Sequence, residues 1–148
     1  MKVLICDPIS QTGIDFLKQQ DVLEVIVLDR RHSETELLPL VGDISAMAVR
    51  SETKVTKAVL EAAPNLKIVG RAGVGVDNID IDAATQNGVI VMNTPGGNTI
   101  ATCELTFSMM MALARNIPQA HGSMVAGEWN RKAFKGVELY GNTLAVRS

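Results

Sequence analysis

Two arginines and a run of glycines carry most of the chemistry this chain offers. Arg50 and Ser51 follow one short apolar stretch. Arg71 ends near another and opens Arg71-Ala-Gly-Val-Gly-Val-Asp-Asn78. A guanidinium is a permanently charged fork that matches carboxylate or phosphate oxygens. Glycines at a strand end leave main-chain N–H groups open to close approach by an anion. Asn98 closes a second glycine loop, Asn93-Thr-Pro-Gly-Gly-Asn98, and adds an amide. Either arginine alone reads as the partner of a surface carboxylate. Two of them beside a glycine loop favour a site for a small acid with more than one anionic group. A dinucleotide phosphate fits less well. Gly73 and Gly75 supply the first two glycines of that fingerprint, but Asn78 stands at the third and Asp77 is a poor neighbour for a pyrophosphate.

The elements that must position these residues follow from hydrophobic patterning. Strands are predicted at Val3–Cys6, Leu23–Leu28, Ala46–Val49, Ile68–Val69 and Val89–Met92. Helical patterns at Thr12–Gln20, Glu34–Val41, Thr56–Ala63 and Asp80–Gln86 fall between them. Apolar Val/Ile/Leu strands spaced by helices predict a parallel sheet covered on both faces. Ligands of such sheets bind outside the carboxyl ends of the strands, where Arg50, Arg71 and Asn98 fall. After residue 98 the rhythm changes. Thr99–Arg115 reads as one long helix, apolar on every side, so it should be buried on every side, between domains or between subunits. Residues 118–142 read as a polar, loop-rich arm with Trp129, Arg131, Lys132 and Lys135.

Composition sets the outer bounds. The chain has 148 residues, 47% of them hydrophobic, and a net charge of −2, so no excess of positive charge points to nucleic acid or an anionic membrane. The apolar run Val3–Cys6 ends at Asp7, which argues for a strand and against a signal peptide. Cys6 and Cys103 lie in apolar segments and read as reduced, buried thiols of a cytoplasmic protein. Asp7 at a strand end invites comparison with phosphoacceptor domains. Those need a carboxylate after the third strand, where this chain has Arg50, so Asp7 reads as a turn former or helix cap. His32 and His121 read as surface residues, and no metal-ligand spacing is present. Arg131 and Lys132, taken alone, read as a solvated turn.

Arg50-Ser-Glu-Thr-Lys-Val-Thr56, Gly70 to Asp80 and Asn93 to Asn98 resemble the D-isomer-specific 2-hydroxyacid dehydrogenases. Leu113 to Gln119, Gly127 to Phe134 and Glu138 to Gly141 narrow the resemblance to members that oxidise 3-phospho-D-glycerate with NAD, the entry step of serine synthesis. The resemblance covers essentially the whole chain. It implies an α/β, flavodoxin-like parallel sheet with helices on both faces, plus a long interdomain or dimerisation helix and an arm. Residues 1–95 would be most of a substrate-binding domain. Residues 96–148 would be the linker helix, the arm and the first strand of a nucleotide-binding domain.

The same resemblance implies roles for individual residues. Arg50, Ser51, Arg71, Gly73, Val74, Gly75 and Asn98 would meet the acid. Val74 would also touch the nicotinamide end of NAD. Arg131 and Lys132 would reach the active site of the neighbouring subunit in a homodimer. The family's NAD fingerprint and its catalytic arginine, glutamate and histidine would fall beyond Ser148, and Arg147 stands where the family has an apolar residue in a buried strand. The expectation is a fragment, a truncated product or a degenerate copy, inactive by itself. Two readings follow. One is the N-terminal part of the dehydrogenase, and the other is a non-catalytic acid-binding or dimerisation module derived from it.

Overall fold

A computed structural model describes residues 1–146. The expectation for Arg147 lies outside the described residues. The chain divides into two compact units, Met1–Gly97 and Asn98–Ser148.

The first unit alternates strand and helix. Its elements are β1 (Lys2–Ile5), α1 (Gln11–Lys18), β2 (Glu24–Val27), α2 (Glu34–Leu37, continued by a 3₁₀ turn Leu38–Leu40), β3 (Ala46–Val49), α3 (Lys57–Glu61), β4 (Ile68–Arg71), α4 (Ile81–Gln86) and β5 (Ile90–Met92). All strand pairs are parallel, in the order β2-β1-β3-β4-β5. That is the flavodoxin-like order, whose direction reverses between β1 and β3. Ser10, Thr56 and Asp80 cap three of the helices, accepting from the main-chain N–H groups of Gly13, Val59 and Ala83. Thr56 and Asp80, the first residues of their helical patterns, therefore stand just outside α3 and α4, whereas α1 begins at Gln11, one residue before its pattern. Pro39 in the second helical pattern tightens its last turn into 3₁₀ geometry. Gly88, at φ +68°, takes the left-handed turn that ends α4.

One face of the sheet carries the core. Leu4, Cys6, Met47, Val49 and Val69 pack there with Leu37, Val41, Val59, Leu60, Ala83 and Ala84 of the α2–α4 layer. Val3 and Ile5 point the other way, the side on which Ile14 of α1 is buried. Along that second face the register aligns Ile5, Ala48, Gly70 and Met92 in one row across four strands. Helices therefore lie on both faces, but the row of small residues leaves open space above β3 and β4.

The second unit holds α5 (Thr99–Ala114) and α6 (Ile117–Val125), followed by turns. The expectation for the arm changes here. Residues 118–142 are not loop throughout. Asn116, at φ +52°, breaks the first helix, and Pro118 sits in the first turn of the second, where its missing N–H costs nothing. α5 has no buried residue in the chain by itself, and Ile100 and Leu113 are more than 70% exposed. Cys103 on this helix is accordingly exposed, not buried. Residues 142–146 are not in a strand in the described chain. The segment after Phe134 returns to the end of α5. Val137 N–H donates to Ala114 O at 2.8 Å, and a Cβ on Gly136 would collide with that same carbonyl oxygen.

No helix among the described residues is long and apolar enough to cross a membrane.

Candidate functional site

An open cleft of about 730 Å³ lies at the carboxyl ends of β1, β3, β4 and β5. Ala48, Gly70 and Met92, members of the in-register row, form an apolar floor. Pro8, Ile9 and Ser10 from the β1–α1 loop line it, as do Arg50, Arg71, Ala72, Asn93 and Thr94.

Arg50 is exposed directly after β3. Its Nη1 donates to Pro8 O at 3.4 Å, and no carboxylate pairs with it among the described residues. The guanidinium therefore keeps most of its donors for a ligand. Arg71 differs. Its side chain is only 10% exposed and is folded back on its own loop, where Nη1 donates to Gly75 O and Nη2 lies 3.6 Å from Asp77 Oδ1. Its Nε is a buried donor with no acceptor among the described residues. The space a Cβ would need at Gly73 holds the Arg71 Nη1, so that glycine makes room for the arginine as well as for any ligand.

The glycine loop lies beside the cleft and does not line it. Gly73 N–H is spent on Arg71 O at 2.9 Å, and Gly73 O accepts from Thr94 N–H at 3.0 Å. Val74 O accepts from Asn93 Nδ2 at 2.7 Å, which ties the two glycine loops together. The N–H groups of Val74 and Gly75 make no hydrogen bond among the described residues. The donors open to an acid are thus at Val74 and Gly75 rather than at Gly73. Ser51 is exposed at the same sheet edge, outside the cleft lining. Asn98, Arg131 and Lys132 belong to the second unit, where Arg131 and Lys132 line a groove with Lys135.

Three residues have roles that their types and spacing did not reveal. Asp7 is neither a turn former nor a cap. It is 3% exposed and accepts from Arg50 N–H (2.5 Å), Thr53 N–H (3.2 Å) and Thr53 Oγ1 (2.7 Å). Asn78 Nδ2 donates to Arg50 O (2.7 Å) and Thr53 O (2.6 Å). The residue that spoils the dinucleotide fingerprint thus has work of its own, in binding the β3–α3 loop. A pyrophosphate does not fit this glycine loop, because Arg71 fills it and the exposed Asp77 carboxylate stands beside it. The strand-end position of Asp7 and the Thr53 after Arg50 were visible signals, but their pairing over more than forty residues was not.

His32 is half-buried with Nδ1 2.8 Å from Arg30 O, and His121 is exposed. No cluster of potential metal ligands occurs among the described residues.

Comparison with known proteins agrees with this architecture. D-3-phosphoglycerate dehydrogenase of Archaeoglobus fulgidus is 53% identical over 146 residues, 99% of this chain and 27% of that protein. The chain thus spans about a quarter of the length of that relative. The TT0316 protein of Thermus thermophilus superposes with a TM-score of 0.83 at 30% identity, over 95% of this chain and 46% of that one. The NAD+-bound 3-phosphoglycerate dehydrogenase of Entamoeba histolytica gives 0.69 at 30% identity, over 78% of this chain and 39% of that one. The family described as D-isomer specific 2-hydroxyacid dehydrogenase, catalytic domain, matches residues 3–138, and the chain belongs to that family.

Proposed function

We propose that this chain supplies the acid-binding part of an NAD-dependent D-3-phosphoglycerate dehydrogenase, and that 3-phospho-D-glycerate binds at the carboxyl ends of β3 to β5. The observation that carries the reading is the cleft whose rim bears Arg50 and Arg71, in a chain about half identical to proteins of that name. Phosphoglycerate carries a carboxylate and a phosphate with nearly two negative charges at neutral pH. Arg50 offers an unpaired fork to one of these groups. The N–H groups of Val74 and Gly75 offer fixed donors to the other, beside the Arg71 guanidinium at the cleft rim. Ser51 and Asn98 are assigned supporting contacts to the acid. Val74 is the one residue assigned to the nicotinamide end of NAD, and no step of the chemistry runs through the glycine loop.

Residues 1–95 are read as the substrate-binding domain, incomplete by itself. Residues 96–148 are read as a linker helix and arm through which the chain forms a homodimer and presents Arg131 and Lys132 to a neighbouring site. A cytoplasmic setting belongs to the same reading. The alternative, a non-catalytic acid-binding or dimerising module, shares the acid site.

Titration of the labelled chain with 3-phospho-D-glycerate tests the site. Amide shifts should move at Arg71, Val74 and Gly75. Arg50→Ala should weaken binding by about ten- to a hundredfold, the cost of one charge-assisted contact at roughly 1.5–3 kcal/mol. Arg30→Ala should not, because Arg30 is paired with Glu36 at 2.7 Å in the loop after β2. Shifts confined to the surroundings of Arg30 would place the site elsewhere.

A further inference from the structure

Four residues, Arg50-Ser-Glu-Thr53, carry the exposed arginine from the end of β3 toward α3. A surface turn of this length should be pliable, and an arginine on a pliable turn loses entropy on meeting an anion. This turn is held from two sides. On one side the buried Asp7 carboxylate takes the N–H groups of Arg50 and Thr53 and the Thr53 hydroxyl. On the other side the Asn78 amide donates both its protons, to the carbonyl oxygens of Arg50 and Thr53. Both ends of the turn are therefore tied through donor and acceptor alike. The N–H groups of Ser51 and Glu52, between the ties, make no hydrogen bond among the described residues. The tethers come from separate segments. Asp7 lies in the loop after β1, and Asn78 lies in the β4–α4 loop, which also pairs with the turn's far side through Val55 N–H to Asn78 O (2.9 Å) and Asp80 N–H to Val55 O (2.9 Å).

We propose that Asp7 and Asn78 are positioning residues that clamp the Arg50–Thr53 turn and so fix the point at which Arg50 meets an acid at the cleft. The inference rests on the acid-binding reading above. Neither residue lines the cleft. Both act through the main chain of the Arg50–Thr53 turn, so the larger part of their contribution to binding runs through the Arg50 guanidinium. The half-buried Asn78 is the better handle for a test, because loss of the buried Asp7 carboxylate strands three donors in the core.

The experiment is a double-substitution cycle on the full chain, with 3-phospho-D-glycerate as the probe and amide exchange of the ligand-free proteins as a second readout. Asn78→Ala should weaken binding about tenfold, the usual loss for a misplaced charge-assisted contact. Asn78→Ala combined with Arg50→Ala should bind little more weakly than Arg50→Ala alone, since the main group that Asn78 positions is then gone. Without ligand, the Arg50 and Thr53 amide protons should exchange about tenfold faster in Asn78→Ala while Val49 and Val69 are unchanged, the mark of local loosening. Additive losses in the cycle would make Asn78 a general stabiliser and overturn the proposal. So would wild-type affinity in Asn78→Ala, or unchanged exchange at Arg50 and Thr53. Failure of the unaltered chain to bind overturns the acid-binding reading instead, and the proposal falls with it. The exchange data would then report separately on the clamp.

Discussion

At the scale of single residues, the site is defined by which polar groups are already spent. Arg50 and Arg71 are alike in the sequence and unlike in the structure. The first keeps most of its donors, whereas the second gives two nitrogens to Gly75 and Asp77. Cys6 illustrates the same dependence on surroundings. It is buried in the core beside Asp7, and burial, helped by that carboxylate, pushes its thiol up to about 12 from an ordinary 9. The folded thiol stays protonated where an unfolded one ionises. Its stabilising effect is therefore full below pH 9 and is lost as pH rises from 9 toward 12. A Cys103→Ser variant, in which Cys6 is the remaining thiol, should be inert to a disulfide reagent at pH 8 until denaturant unfolds it. Rapid labelling of the native variant would show that Cys6 is accessible. Alkaline unfolding of that variant should begin above pH 9, and replacing Cys6 with Ala should flatten that part of the pH profile.

At the scale of elements, caps and close approaches decide where each segment stops and what it touches. The arm that carries Arg131 and Lys132 begins after α6, where Asn130 and Ser123 both reach Glu128 Oε2, at 2.7 and 3.4 Å. It ends where Gly136 passes the last carbonyls of α5. A side chain at Gly136 cannot coexist with the Val137–Ala114 hydrogen bond, because Cβ and the Ala114 oxygen would overlap. Gly136→Ala should therefore undock the arm. Trypsin should cut at Arg131, Lys132 and Lys135 several-fold faster, tracking the larger open population, with no change at Lys57 or Lys67 in the first unit. Equal cleavage rates at the arm would show that the close approach does not hold it.

At the scale of the whole molecule, the two units are unequally stabilised. Met1–Gly97 has a core of fully buried aliphatic side chains. Among the described residues of Asn98–Ser148 none is buried, although α5 is apolar on all sides and Phe107, Met109, Leu113 and Trp129 are more than half exposed. A segment that exposes this much contiguous apolar surface is stable only when covered. The homodimer reading gives that cover. Sedimentation at micromolar concentration should show dimers or larger species, and Leu113→Glu with Leu105→Glu should shift the population toward monomer. A clean monomer of the unaltered chain would show that α5 needs no second copy.

What the sequence determined by itself was the order of elements and the edge at which chemistry collects. Short-range patterning encodes both. Apolar runs of four residues make strands, capping residues end helices, and a parallel sheet places every strand-to-helix loop at one edge. The sequence alone therefore assigns Arg50 and Arg71 to that edge. How the loops at that edge share their hydrogen bonds is set by the assembled sheet instead. Asp7 and Thr53 are 46 residues apart and Asn78 and Arg50 are 28 apart. Such pairings depend on the order β1-β3-β4, which side-chain periodicity does not encode. Arg71 folding onto its own glycine loop is likewise a packing outcome. The exposure of α5 has the same origin, because an apolar run states that a helix must be covered and says nothing of what covers it.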